Sequence, residues 1–288
     1  MDYWIIVALE ISRAIAWLVL ISAGLAVIFG MMRIINFAHG EFLMVGAYTV
    51  VLTTKAGINQ WVAILVLAPL VTGILGLAVE RLIIRRLYGR ILDSLLATWG
   101  LSMLLVGGVT VLFGNTVQGI SAPLGGISIG TYQIPAYNLL LIAAAVVLLA
   151  AIWVVLRFTR MGLIARATMQ NPDMAEAMGI RTHWVYMATF GIGSATAGLA
   201  GGLLAPMTGV VPTMGVNFVA QSFITVITGG TAIIAGTSSA SVLLGTVSQG
   251  TTFLSGPVYG DVALLFLALV LLRILPQGIT GRIFKRSL

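Results

Sequence analysis

The sequence predicts an all-α polytopic membrane protein of about eight or nine transmembrane helices, with broken helices and a possible internal repeat. Three observations carry that prediction. Of 288 residues, 59% are hydrophobic and only 8% charged, with a mean hydropathy of +1.10, whereas a soluble domain carries about a quarter charged residues. Apolar runs approaching the roughly 20 residues that cross a hydrocarbon core recur along the whole chain. The basic residues flank these runs and do not gather on one soluble face, so the net charge of +7 reflects topology and not an affinity for nucleic acid.

In chain order the spans fall near residues 14–32, 42–54, 61–79, 94–113, 138–156, 184–205, 217–235, 238–254 and 262–275. No connecting segment has the length of a soluble domain, so residues 1–288 read as one membrane domain. The start, MDYWIIVALEISR, lacks the basic opening and small-residue cleavage site of a removable signal, and the first span is expected to persist in the mature protein. Orientation follows from Lys and Arg, which accumulate on the cytoplasmic side. Arg81, Arg85, Arg86 and Arg90 fill one loop, Arg157, Arg160, Arg166 and Arg181 another, and Arg273, Arg282, Lys285 and Arg286 the C-terminal end. The loops 114–137 and 206–216 carry no charge. The N-terminus is therefore expected outside and the C-terminus in the cytoplasm, with Arg13 and Lys55 on the outer face.

Two regions interrupt the helical pattern. The first, residues 30–46, places Arg33, Asn36, His39 and Glu41 in apolar sequence; the second, residues 201–230, holds Gly209, Pro212, Gly215, Asn217, Gln221 and Ser222. The preceding helices share Gly24-Leu25-Ala26 and Gly198-Leu199-Ala200, and paired glycine-interrupted segments of this kind mark the binding region of many transporters. Ionisable groups inside a membrane default to functional candidates, which singles out Asn36, His39 and Glu41. An equally good reading has His39 and Glu41 satisfying backbone groups where the chain breaks at Gly40. Asn217, Gln221 and Thr225 share one helical face with Ser222 adjoining it, and both interhelical bonding and solute contact account for them. Neither cluster offers much fixed charge, so a small neutral or zwitterionic solute fits better than an ion. The close spacing of Gly191, Gly193, Ala195, Gly198, Gly201 and Gly202 is expected to serve helix packing.

The most sharply specified segment is GLIARATMQNPDMAEAMGI, residues 162–180. Asn171 suits a helix cap, Pro172 its first position, Asp173 and Glu176 its positive end, and Gly179 the left-handed residue that stops it. Met174, Ala175 and Met178 then form a small apolar stripe that a short helix cannot bury by itself. Such a stripe wants a groove on another protein. Other chemistries find no footing. Gly229-Gly230 with Gly236-Thr237 lacks the lysine of a phosphate loop, and His39 and His183 are too far apart in the sequence for a metal motif. There is no cysteine and no serine, base and acid grouping that would suggest an enzyme.

Residues 29–48 (FGMMRIINFAHGEFLMVGAY), 162–180 and 273–282 (RILPQGITGR) resemble the permeases of the branched-chain amino acid type of ABC importer. The resemblance implies a single permease domain in a bacterial inner membrane, partnered by a homologous sister permease, two ABC ATPases and an extracytoplasmic solute-binding protein. It also implies that residues 160–183, with Arg166 and the capped helix, are the loop that couples to the ATPases. ATP and Mg would then be used by the partners, with no cofactor in this chain. Residues 95–105 (LLATWGLSMLL) and 205–223 (APMTGVVPTMGVNFVAQSF) look more similar to the urea and short-amide permeases, so urea is the expected solute, with a branched-chain amino acid as the alternative. Residues 229–237, GGTAIIAGT, depart from the family's more glycine-rich run. A passive channel or secondary transporter is the competing class.

Overall fold

A computed structural model describes residues 2–130, 132–230 and 232–283. The chain is a helical membrane protein: α1 (Asp2–Met32), α2 (His39–Lys55), α3 (Gln60–Leu82), α4 (Ile91–Phe113), α5 (Tyr137–Phe158), α6 (Arg160–Gln170), α7 (Pro172–Ala177), α8 (Thr182–Leu204), α9 (Met214–Gly229), α10 (Ile233–Ser255), α11 (Pro257–Ile274) and α12 (Gly278–Ile283). One antiparallel hairpin, β1 (Gly126–Ile129) with β2 (Tyr132–Pro135), pairs Ile127 with Ile134 between α4 and α5. Among the described residues six helices are long and apolar enough to cross a membrane, or seven if α9 and α10 together make one bent span. The expected eight or nine exceeds this because α2, at 17 residues, and α9, at 16, are too short to count alone.

Two boundaries move for physical reasons. Helix α1 begins at Asp2 and not near residue 14, because Glu10 and Arg13 neutralise one another at 2.7 Å within the helix. Helix α9 stops at Gly229, short of the expected residue 235. There the hydroxyl of Thr280 donates to the Gly229 carbonyl at 2.7 Å, and Gly229 lies so close to Gly236 that a β-carbon on either would overlap the other's backbone. Thr231, within the departing glycine segment, lies outside the described residues, as do Lys285 and Arg286.

The helices form two compact units. One comprises residues 23–121 and 151–220, and its axis is α8. Three of its contacts run through glycine. A β-carbon on Gly193 would lie 2.9 Å from the carbonyl oxygen of Gly24 on α1, one on Gly201 2.6 Å from the carbonyl carbon of Leu43 on α2, and one on Gly198 2.6 Å from a Thr72 methyl on α3. Gly46 of α2 meets Gly198 in the same way, at 2.6 Å from its Cα. In lipid, where apolar surface gains little by leaving the solvent, such approach is what holds helices together. The neutral segments of this unit also converge: Gln118 and Val210 exchange backbone hydrogen bonds of 2.9 and 2.8 Å, and Lys55 at the end of α2 donates to the Gln118 side chain. Parts of the two uncharged loops thus meet beside Lys55.

The other unit comprises residues 1–22, 122–150 and 221–288, within which α10 packs on α11 and the Ser222 hydroxyl of α9 donates to the Ile21 carbonyl of α1 at 2.9 Å. Replacing Gly201 by Ala should cost roughly 1–3 kcal/mol, the usual penalty of forcing extra volume into a packed interior. Thermal unfolding of the purified protein should detect it, while Gly107→Ala, which meets nothing within 4 Å, should leave the midpoint unchanged.

Candidate functional site

The break between α1 and α2 is built from residues 33–38. Helix α1 ends at Met32, and Arg33 turns the chain with φ +52, a left-handed conformation uncommon outside glycine. Asn36 then folds the backbone back: its Oδ1 accepts from the Ala38 N–H at 3.1 Å and its carbonyl accepts from the His39 N–H at 3.2 Å. Helix α4 ties the segment down, since Thr98 Oγ1 accepts from the Phe37 N–H at 3.1 Å. Asn36, His39 and Glu41 are all 0% exposed. Ser102, also on α4, donates to Glu41 Oε1 at 2.8 Å. Glu41 Oε2 and Asn36 Nδ2 find no partner among the described residues. A buried polar atom left unpaired is costly, so these two atoms weigh against the stability of the break.

The second broken region reaches the same place. Gly215, in the first turn of α9, packs on Gly40, in the first turn of α2, and the contact is reciprocal. A β-carbon on Gly40 would lie 2.6 Å from the Gly215 carbonyl carbon, and one on Gly215 2.7 Å from that of Gly40. The remaining predicted polar residues divide. Asn217 belongs to this unit and is exposed. Gln221, Ser222 and Thr225 belong to the other unit, where Ser222 is committed to Ile21 and Thr225 Oγ1 donates to its own helix at the Gln221 carbonyl, 2.8 Å away. The expected polar face is thus broken up: of the four, Gln221 is the one that lines a cavity.

The elbow between α5 and α8 follows its sequence closely. Thr159 caps α6 by accepting from the Gly162 N–H at 3.0 Å, and Asn171 caps α7 by accepting from the Met174 N–H at 3.0 Å. Gly179 stops α7 with φ +85, which allows the Ile180 N–H to reach the Ala175 carbonyl at 3.0 Å. Two expectations need correction. Ala175 is 4% exposed, packed against its own chain, whereas Met174 and Met178 are 60% and 78% exposed. The outward stripe is therefore the methionine pair, because α7 turns its small residue inward. Glu176 lies towards the end of this six-residue helix and not at its positive end, and its carboxylate accepts from the Thr182 hydroxyl at the start of α8. It latches the elbow to α8. Arg166 is partly buried and its Nε donates to the Gly162 carbonyl at 3.3 Å within α6; Arg157, Arg160, Asp173 and Arg181 are exposed.

The sequence reading did not single out Glu80, which ends the apolar run of α3 beside Arg81. Its carboxylate is 0% exposed and accepts from the Tyr88 hydroxyl. The Tyr88 ring lies 5.0 Å from that of Tyr186 on α8, one turn beyond Thr182. A chain of contacts therefore runs from α7 through Glu176 and Thr182 into α8, and from α8 through Tyr186 and Tyr88 to α3. Among the described residues no cluster of His, Cys, Asp or Glu has the makings of a metal site.

Residues 7–275 match the family model described as branched-chain amino acid transport system, permease component. The chain is 30% identical to the branched-chain amino acid transport permease BraD of Pseudomonas aeruginosa, over 91% of each chain. It is 28% identical to LivH of Salmonella typhimurium, over 91% of each, and 30% identical to a probable LivH of Methanocaldococcus jannaschii, over 93% of this chain and 90% of that one. No solved structure matches.

Burial, and then the hydrogen bond to Glu80, push the Tyr88 phenol well above its ordinary value of 10.0. A raised folded value favours the protonated form, so its contribution to stability is present in full below about pH 10 and is lost as pH rises beyond. Tyr88→Phe should lower the thermal midpoint at pH 8, because Glu80 loses its partner, and should flatten the alkaline decline between pH 9 and 11. Paired melting curves across that range check both effects.

Proposed function

This chain belongs to the family of branched-chain amino acid transport system permease components, and on that premise we propose that it is the membrane subunit of an ATP-driven importer for small aliphatic amino acids. The observation that carries the mechanism is the elbow. A capped helix held by Asn171 and Gly179 presents Met174 and Met178 outward while Glu176 latches it to α8. Two exposed methionines on a rigid support suit a groove on a partner, since the thioether chain adapts to irregular apolar surfaces. In this reading the arginine-rich ends face the cytoplasm, two ATPase subunits using ATP and Mg grip the elbow, and a sister permease and an extracytoplasmic binding protein complete the importer. Closure of the ATPases moves α7, and α8 carries the movement to α3 and to the break at Gly40 and Gly215. Asn36, His39 and Glu41 then line the path, joined by Asn217.

The names of the relatives support an amino acid as solute over the urea or short amide expected from residues 95–105 and 205–223. A zwitterion also suits a chain whose membrane-buried carboxylate and amide groups retain unpaired atoms on both donor and acceptor sides.

In proteoliposomes holding the whole complex, the double change Met174→Asp and Met178→Asp should lower ATP-dependent leucine uptake about tenfold or more, the scale of losing an interface hot spot, with the protein still inserted. Gly179→Val should act likewise. Wild-type uptake rates in these variants, or uptake that survives ATP depletion, would defeat the proposal. Excess unlabelled leucine should block labelled uptake and excess urea should not.

A further inference from the structure

One polar assembly takes no part in the elbow or the break. Arg13 Nε on α1 donates to Glu10 Oε2 at 2.7 Å, and Asn138 Nδ2 on α5 donates to Glu10 Oε1 at 3.0 Å. Asn138 is 4% exposed, so the carboxylate is held from a fixed point and in turn fixes the guanidinium by its Nε. The two terminal nitrogens of Arg13 have no partner among the described residues. A surface ion pair of this spacing on a helix needs no cavity, yet Arg13 lines one of about 170 Å3. Its walls include Trp17 of α1, Gln221 of α9, Ser248 and Gln249 of α10, and Leu264 of α11, all within one unit. Helix α10 comes this near α1 because Gly245 has no side chain: a β-carbon there would lie 3.0 Å from the Ile15 backbone nitrogen.

The lining divides by chemistry. A guanidinium presents a planar fork that matches a carboxylate with two parallel hydrogen bonds, and here two of its nitrogens remain to do so. Gln221, Ser248 and Gln249 supply oxygens that accept from an ammonium group. Trp17 and Leu264 supply apolar surface. Because Glu10 already neutralises Arg13, an incoming molecule of zero net charge leaves the region neutral, which an anion does not. We propose that this cavity binds an apolar amino acid, with its α-carboxylate on Arg13, its ammonium on the polar side chains of α9 and α10, and its aliphatic side chain against Trp17 and Leu264. Glu10 and Asn138 act through Arg13 as positioning residues. The inference rests on the amino-acid reading of the preceding section and deepens it. Urea, which has no carboxylate, gains nothing from the fork.

Binding of labelled L-leucine to the membrane complex of permeases and ATPases in nanodiscs, with the soluble binding protein left out, tests the site, with 3-methylbutylamine, which is leucine without its carboxylate, as competitor. Wild-type should bind leucine and should bind the amine about tenfold or more weaker, the scale of a lost charge-assisted pair. Arg13→Gln should bring leucine down to the level of the amine or below it, and should not weaken the amine, because Glu10 is then left without its cation. Ser248→Phe, which fills the cavity without touching the ion pair, should abolish binding of both, and decides alone if Arg13→Gln fails to insert. A wild-type complex that imports leucine but does not bind it in this assay, or binding that survives both changes, overturns the site and leaves the permease reading standing. A wild-type complex that imports urea and not leucine overturns that reading itself.

Discussion

Contact between bare backbones is the constraint on which this fold depends. Lipid rewards no burial of leucine against leucine, so α8 collects its neighbours by removing side chains where they touch. Gly193 admits α1, Gly201 admits α2 and Gly198 admits both α2 and α3. A contact between main chains has no rotamer to change, so it fixes the register of each helix along α8. With registers fixed, α1 must end and α2 must begin at set heights, and the irregular chain between them falls at a defined place. The placing of Asn36 and Glu41 is thus a result of glycines that never touch them.

That place is where the polar groups are spent unevenly. Asn36 uses its oxygen to turn the backbone and leaves its amide unpaired, while Glu41 uses one carboxylate oxygen on Ser102 and leaves the other. An unpaired buried donor or acceptor costs more than a hydrogen bond gains, so both atoms weigh against the stability of the break. The reciprocal meeting of Gly40 and Gly215 adds that both interrupted regions begin their next helix against one another.

Much of this was legible in the chain because its signals were local. The cap at Asn171, the stop at Gly179 and the packing role of the α8 glycines each depend on residue type and immediate spacing, and the structure keeps all three. What escaped was set by partners distant in sequence. Glu80 gains its role only when Tyr88 folds back onto it, Arg13 only when Glu10, held by Asn138, pairs with it, and of the two readings open for Ser222 the interhelical one holds, since its hydroxyl donates to the Ile21 carbonyl. The hairpin of residues 126–135 was missed because two four-residue strands in a neutral loop carry too short an alternation to register.

The elbow shows how a six-residue helix is held in one shape. An isolated helix this short does not hold its shape in water, and α7 is held instead by attachments at both ends. Asn171 and Pro172 fix its start, Gly179 and the Ile180 N–H close its end, Ala175 seats it on its own chain and Glu176 bonds the first residue of α8. Met174 and Met178 take no part in these attachments and face outward, so a displacement applied to them would pass to α8 through the attachments themselves. The axis on which the other helices are registered is then the first thing a partner at the elbow would move.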